Sequence, residues 1–182
     1  MKKKLTKELN KISDSSVILT ILPKENYEDL NMHMVKLITD RKKNIGGAYV
    51  TINRPYANII NIMAKNDIDH EKMFFVDCVT EEKKEAKNCV FMRTPRSLTN
   101  IGIALEPVYD SNQHSFVFLD SLDALSIYHD PNMIIRFVRS LIEKVREKDM
   151  SGFMIGLSEE TDKKIIDELS VVCDKVIDLT KK

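Results

Sequence analysis

The sequence predicts an α/β fold: three layers, α/β/α, built on a mostly parallel central sheet. Two observations carry that expectation. Short, nearly unbroken apolar runs recur through the chain, as strands buried on both faces do. Longer amphipathic stretches of helical period lie between them, so strands and helices alternate. Right-handed crossovers then bring the strand-to-helix loops to one edge of the sheet, where α/β proteins bind ligands.

Residues 1–14 read as a charged leader, and 15–182 as a single domain. The first strand is expected at 16–22. A helix follows over 26–42, with Asn26 as its cap and Leu30, Met34, Leu37 and Ile38 on its inner face. Gly46-Gly47 punctuates, and 48–52 is the second strand. Pro55 suits the first turn of the next helix, whose apolar contacts are Ile59, Ile60, Ile62 and Met63. Residues 72–76 and 89–92 are the third and fourth strands, with a charged loop at 81–87 between them. Ser97 caps a short helix carrying Leu98, Ile101, Ile103 and Leu105, and the strand 115–119 comes next. Asp130-Pro131 opens the clearest helix, a capping acid followed by a proline where no N–H is needed. Its inner stripe is Ile134, Phe137, Val138, Leu141 and Val145. Strands at 152–157 and 175–179 close the chain, separated by a helix that starts at Ser158-Glu159-Glu160 and ends at Leu169.

Composition narrows the function classes. The chain has 182 residues, room for one core without disulfide or metal staples. Lysine plus arginine, 28, balances aspartate plus glutamate, 28, which disfavours a domain built to hold a nucleic-acid backbone. Cys78, Cys89 and Cys173 are odd in number and form no Cys-x-x-Cys pair, so they read as ordinary thiols in a reducing cytoplasm. His33, His70, His114 and His129 are scattered without ligand spacing, and no metal or cofactor is expected. The lysines at the start precede an apolar run of only six residues that stops at Pro23, too short for export, and no stretch approaches a membrane span. On the helix opened by Asp130-Pro131, Arg136, Arg139, Lys144, Arg146 and Lys148 are interspersed with Glu143, Glu147 and Asp149, the pattern of an ion-paired, solvated face.

Residues 115–121, Ser-Phe-Val-Phe-Leu-Asp-Ser, form an apolar strand that ends in an aspartate and a serine. With the earlier run Met-Phe-Phe-Val-Asp at 73–77, the arginine-bearing helix and Gly-Phe-Met-Ile-Gly-Leu at 152–157, the order resembles a KaiC-like domain of the RecA superfamily. The resemblance spans about Val17 to Leu179 and implies a RecA-like P-loop NTPase fold in an archaeal-type setting. It also implies three catalytic features. The first is a phosphate loop, Gly-x-x-x-x-Gly-Lys-Ser/Thr, between the first strand and helix. Here Pro23, Lys24, Glu25, Asn26, Tyr27 and Glu28 occupy that stretch, with no glycine; Tyr27 falls near the lysine's place and Glu28 near the hydroxyl's. Glu25, Glu28 and Asp29 complement the helix dipole but repel a triphosphate. One like-charge contact at ~4 Å costs roughly 4 kcal/mol at an intermediate dielectric, about a thousandfold in affinity. The second feature is a glutamate pair beyond the second strand; Asn53-Arg54 stands there, and neither side chain is a carboxylate base. The third, the magnesium-site aspartate, matches Asp120 with Ser121 beside it, a position equally suited to bonding loop amides at a strand end.

The expected function is therefore a catalytically inactive, pseudo-ATPase domain used for regulation or assembly, with a protein partner or a second copy of the chain. A first alternative is a small-ligand or nucleotide site at the sheet's carboxyl edge, built from Asn53, Arg54, Asp77, Arg93, Thr94, Arg96, Asp120 and Ser121. A second is an accessory factor in DNA recombination or repair, which requires salt-sensitive DNA binding despite the neutral composition.

Overall fold

A computed structural model describes residues 1–41, 46–81, 85–92, 97–111 and 113–181. Among these residues seven strands form one sheet: β1 (Val17–Leu22), β2 (Gly46–Thr51), β3 (Phe74–Asp77), β4 (Cys89–Phe91), β5 (His114–Asp120), β6 (Ser151–Leu157) and β7 (Lys175–Asp178). Their spatial order is β4-β3-β2-β5-β6-β1-β7, and every neighbouring pair is parallel. The strand-helix alternation of the sequence thus becomes a doubly covered parallel sheet.

One face carries α1 (Lys2–Leu9), α2 (Tyr27–Arg41) and α3 (Tyr56–Lys65), packed on Ile18, Tyr49, Phe75, Phe116, Phe118 and Phe153. The other carries α4 (Leu98–Asp110), α5 (Leu122–Ser126), α6 (Pro131–Glu147) and α7 (Lys163–Ser170), packed on Val17, Leu19, Val50, Val117 and Leu119. Alternate residues of each strand serve the two layers, which is why β1, β2 and β6 are buried along their whole length. Small residues are needed where layers crowd: a Cβ on Gly47 would stand 2.1 Å from Cζ of Phe116, and one on Gly46 would stand 1.8 Å from the Lys72 carbonyl oxygen.

Several local expectations change. Residues Lys2–Leu9, within the charged leader, form a helix because Leu5 and Leu9, four apart, share one face and are buried at 0% and 2% exposure. Asn26 does not open α2 as a lone cap; it ends a 3-10 turn, Lys24–Asn26, that runs directly into the helix. The last helix starts at Asp162, whose carboxylate accepts from the Lys164 N–H at 2.7 Å, while Ser158, Glu159 and Glu160 form a turn before it. Asp130 caps α6 as expected, accepting from Asn132 N at 2.8 Å, and Ser97 caps α4 through Asn100 N at 3.4 Å. Among the described residues, no helix is long and apolar enough to cross a membrane.

Candidate functional site

Because all strands run the same way, the carboxyl ends of β1, β2, β3 and β5 share one edge of the sheet. Asp77, Thr51 and Asp120 lie level across β3, β2 and β5. Asp120 faces the α2 layer, in line with Phe116 and Phe118 of its own strand, and is 1% exposed. Its carboxylate is enclosed by protein donors. Tyr27 Oη donates to Oδ1, Tyr49 Oη donates to Oδ2, and Asn31 Nδ2 donates to Oδ2 at 3.0 Å. The same amide lies 3.2 Å from Tyr49 Oη and 3.3 Å from Tyr27 Oη, closing the cluster.

The sequence builds this cluster by simple periodicities. Tyr27 and Asn31 are one helical turn apart on α2 and therefore stack on one face. Tyr49 lies two residues before Thr51, on the face that Phe118 and Asp120 share; its ring stacks on Phe118 with centroids 5.1 Å apart and planes 7° apart. Burial pushes the Asp120 carboxyl above its usual range, against the pull of its three hydrogen bonds. Burial, then the neighbouring Asp120 charge, pushes both tyrosine hydroxyls upward as well, so each stays a donor.

Outside this buried cluster the loop side chains pair among themselves. Arg54 forms an ion pair with Glu28 and lies over the Tyr27 ring, 5.8 Å from its centroid. The Arg54 backbone is held by Thr51, whose Oγ1 donates to the Arg54 carbonyl at 2.5 Å. Asn53 Nδ2 donates to Ser121 Oγ at 2.9 Å, tying the β2 and β5 loops together across the Asp120–Ser121 peptide, which is cis. Lys24 pairs with Glu160 rather than facing the edge freely, Glu25 is exposed, and Pro23 is buried.

Above the loops opens a cavity of 660 Å³ whose lining includes Tyr27, Asn53, Arg54, Asp123, Ile127 and Glu160. Asp123 is 7% exposed, and its Oδ1 has no hydrogen-bond partner among the described residues. Burial raises its carboxyl above the usual range.

Of the residues expected at this edge, Asn53 and Arg54 line the cavity, whereas Asp120 and Ser121 are buried. Asp77 is enclosed as well. It is 0% exposed and its oxygens are spent locally, on the Tyr56 N–H at 2.8 Å, the Val79 and Thr80 N–H groups at 2.7 and 2.9 Å, and Thr80 Oγ1. It fastens α3 and the loop after β3. Arg93, Thr94 and Arg96 lie outside the described residues. Asn31, Tyr49 and Asp123 were not singled out from the sequence. The signal for Asn31 was a polar residue inside an apolar helical face, one turn after Tyr27.

A family model, described as a family of unknown function (DUF7504), matches residues 62–179. No curated protein matches the chain. Among solved structures, the chain is similar to the uncharacterized protein PH0321 from Pyrococcus horikoshii, crystallised in complex with an unknown peptide. That match has a TM-score of 0.74 and 15% identity, covering 97% of this chain and 82% of that one. It is also similar to the KaiC-like protein PH0186 from Pyrococcus horikoshii OT3, with a TM-score of 0.60 and 14% identity over 94% of this chain and 74% of that one. At such identities the likeness shows the fold alone, a KaiC-like, RecA-type three-layer architecture.

Proposed function

We propose that this chain, which belongs to the DUF7504 family, is a non-hydrolytic RecA/KaiC-like domain that serves as a regulatory or assembly module. The single observation that carries the reading is the state of Asp120. Both its oxygens are already engaged by Tyr27, Tyr49 and Asn31, so the carboxylate acts as an internal anchor rather than a metal ligand. Phosphoryl transfer depends on positioning and charge neutralisation by several groups together. Here the first strand-to-helix loop has no glycine, Lys24 is paired with Glu160, and Arg54 is paired with Glu28. The peptide crystallised with PH0321 supports a protein-binding role for a molecule of this fold.

The test is phosphate release from Mg-ATP by the purified chain. The expected rate equals the buffer blank and is unchanged in Asp120→Asn; release that Asp120→Asn abolishes would overturn the reading.

A second reading, a small-ligand site at the same edge, is favoured by the 660 Å³ cavity and the unpartnered Oδ1 of Asp123. That oxygen would accept a hydrogen bond from a ligand's amine or amide. A thermal-shift screen of nucleotides and amines decides it: a stabiliser that loses its effect in Asp123→Ala supports the site, and a screen without stabilisers removes it. The recombination-factor reading gains nothing from α6. Three of the five cations on this helix and at its end are held by acids of other elements, Arg139 by Glu168 at 2.9 Å, Arg146 by Asp174 at 3.0 Å and Lys148 by Asp110 at 3.1 Å.

A further inference from the structure

We infer that the groove between α4 and α6 is a docking site for an acidic amphipathic helix of a partner protein. The inference rests on the assembly-module reading and gives it a surface. The groove has a volume of 510 Å³ and lies on the helical layer opposite the Asp120 cluster. Its floor is open because Gly102 sits in mid-helix, and beyond the helix's own backbone nothing stands within 4 Å of where a Cβ would be. Glycine there weakens α4, a cost that an ordinary solvated helix face has no reason to carry. The walls expose apolar side chains that the fold leaves uncovered: Ile103 at 63% and Met133 at 45%, with Phe137 half-buried between the helices. Pro107 lies inside α4 and has no N–H, so the Ile103 carbonyl one turn earlier lacks its helical donor.

Charge selects the occupant. Arg136 is exposed, lines the groove and has no ion-pair partner among the described residues, in contrast to Arg139, Arg146 and Lys148 on the same helix and its end. Lys144 also lines it and, among the described residues, pairs only with its helical neighbour Glu147, at 3.9 Å. The two cations are eight residues apart on α6, about 12 Å along the axis. Against them the groove sets one acid, Glu106. A helix lying in the groove would cover Ile103 and Met133 with its apolar stripe. Carboxylates two turns apart on it would meet Arg136 and Lys144, the helix-in-groove mode of recognition.

The probe is a fluorescein-labelled helical peptide with leucines at i, i+3, i+4 and i+7 and glutamates elsewhere, titrated by anisotropy beside a counterpart with lysines for glutamates. The acidic probe is expected to saturate and to bind at least about tenfold more tightly than the basic one. Gly102→Leu fills the floor and should abolish binding while circular dichroism and Tm stay intact. Arg136→Glu with Lys144→Glu, both on the surface, should reverse the preference between probes. Failure of the acidic probe to bind, equal binding of the two probes, or wild-type binding by Gly102→Leu would each overturn the inference. So would concentration-dependent self-association that Gly102→Leu removes, since a second copy would then be the occupant. No nucleotide enters this experiment. A failed titration with no phosphate release removes the groove alone, whereas Asp120-dependent phosphate release removes the non-hydrolytic reading even if the probe binds.

Discussion

Asp120→Ala should lower folding stability by about 3–5 kcal/mol, seen as a reduced denaturant midpoint and a Tm lower by roughly 10 °C. The substitution leaves three donors, the buried Tyr49 Oη and Asn31 Nδ2 and the part-buried Tyr27 Oη, without their common acceptor. Each buried donor without a partner costs roughly 1–3 kcal/mol, and the three partly recover by bonding one another, since Asn31 already lies within reach of both hydroxyls. Asp120→Asn keeps one acceptor oxygen and should cost less, about 1–2 kcal/mol. The pH profile separates this anchor from an exposed carboxylate. Burial raises the Asp120 carboxyl in the folded protein, so the folded state binds its proton more tightly than the unfolded state. Its contribution is therefore full below the ordinary aspartate range and is lost as pH rises through the raised folded value. Asp120→Asn should flatten that part of the stability profile; an unchanged slope would place the raised carboxyl elsewhere.

Phe118→Ala is expected to cost about 3–5 kcal/mol, the range for truncating a fully buried aromatic side chain. Phe118 is 0% exposed and sits between Tyr49, at 5.1 Å between centroids, and Phe153, at 6.3 Å. The loss reaches beyond a cavity, because the ring is the platform that aims Tyr49 at Asp120. Combining Phe118→Ala with Tyr49→Phe should then cost less than the sum of the single changes, since the first already loosens the hydrogen bond that the second deletes. Urea unfolding of the two single variants and the double variant measures the coupling, and strict additivity would show that Phe118 contributes packing only.

Much of this was legible in the sequence. Strands buried on both faces leave apolar runs that local reading detects, and the Asp130-Pro131 helix start is written in adjacent residues. The position of Asp120 at a strand end was equally local. What surrounds it was not. Tyr27 and Tyr49 are 93 and 71 residues from Asp120 in sequence and meet it only after β2 and β5 pair and α2 folds over them. A tyrosine in a strand reads simply as a good strand former. Asp77 has partners of both kinds: the distant Tyr56 N–H, and Val79 and Thr80 in a local turn that the strand pattern hid. Helix α1 was obscured by lysines, although the Leu5 and Leu9 spacing marked its buried side. The α4–α6 groove follows from Gly102 and Ile103, whose apolar or small character resembles core until the helix is oriented and Ile103 turns outward.

An Asp120 carboxylate saturated by internal donors, beside a helix start ringed with acids, should give a magnesium nucleotide nothing to hold. Calorimetric titration of the intact protein with Mg-ATP measures this most directly. The account predicts no saturable heat through the millimolar range. Stoichiometric binding at micromolar concentration, lost in Asp120→Asn, would contradict it.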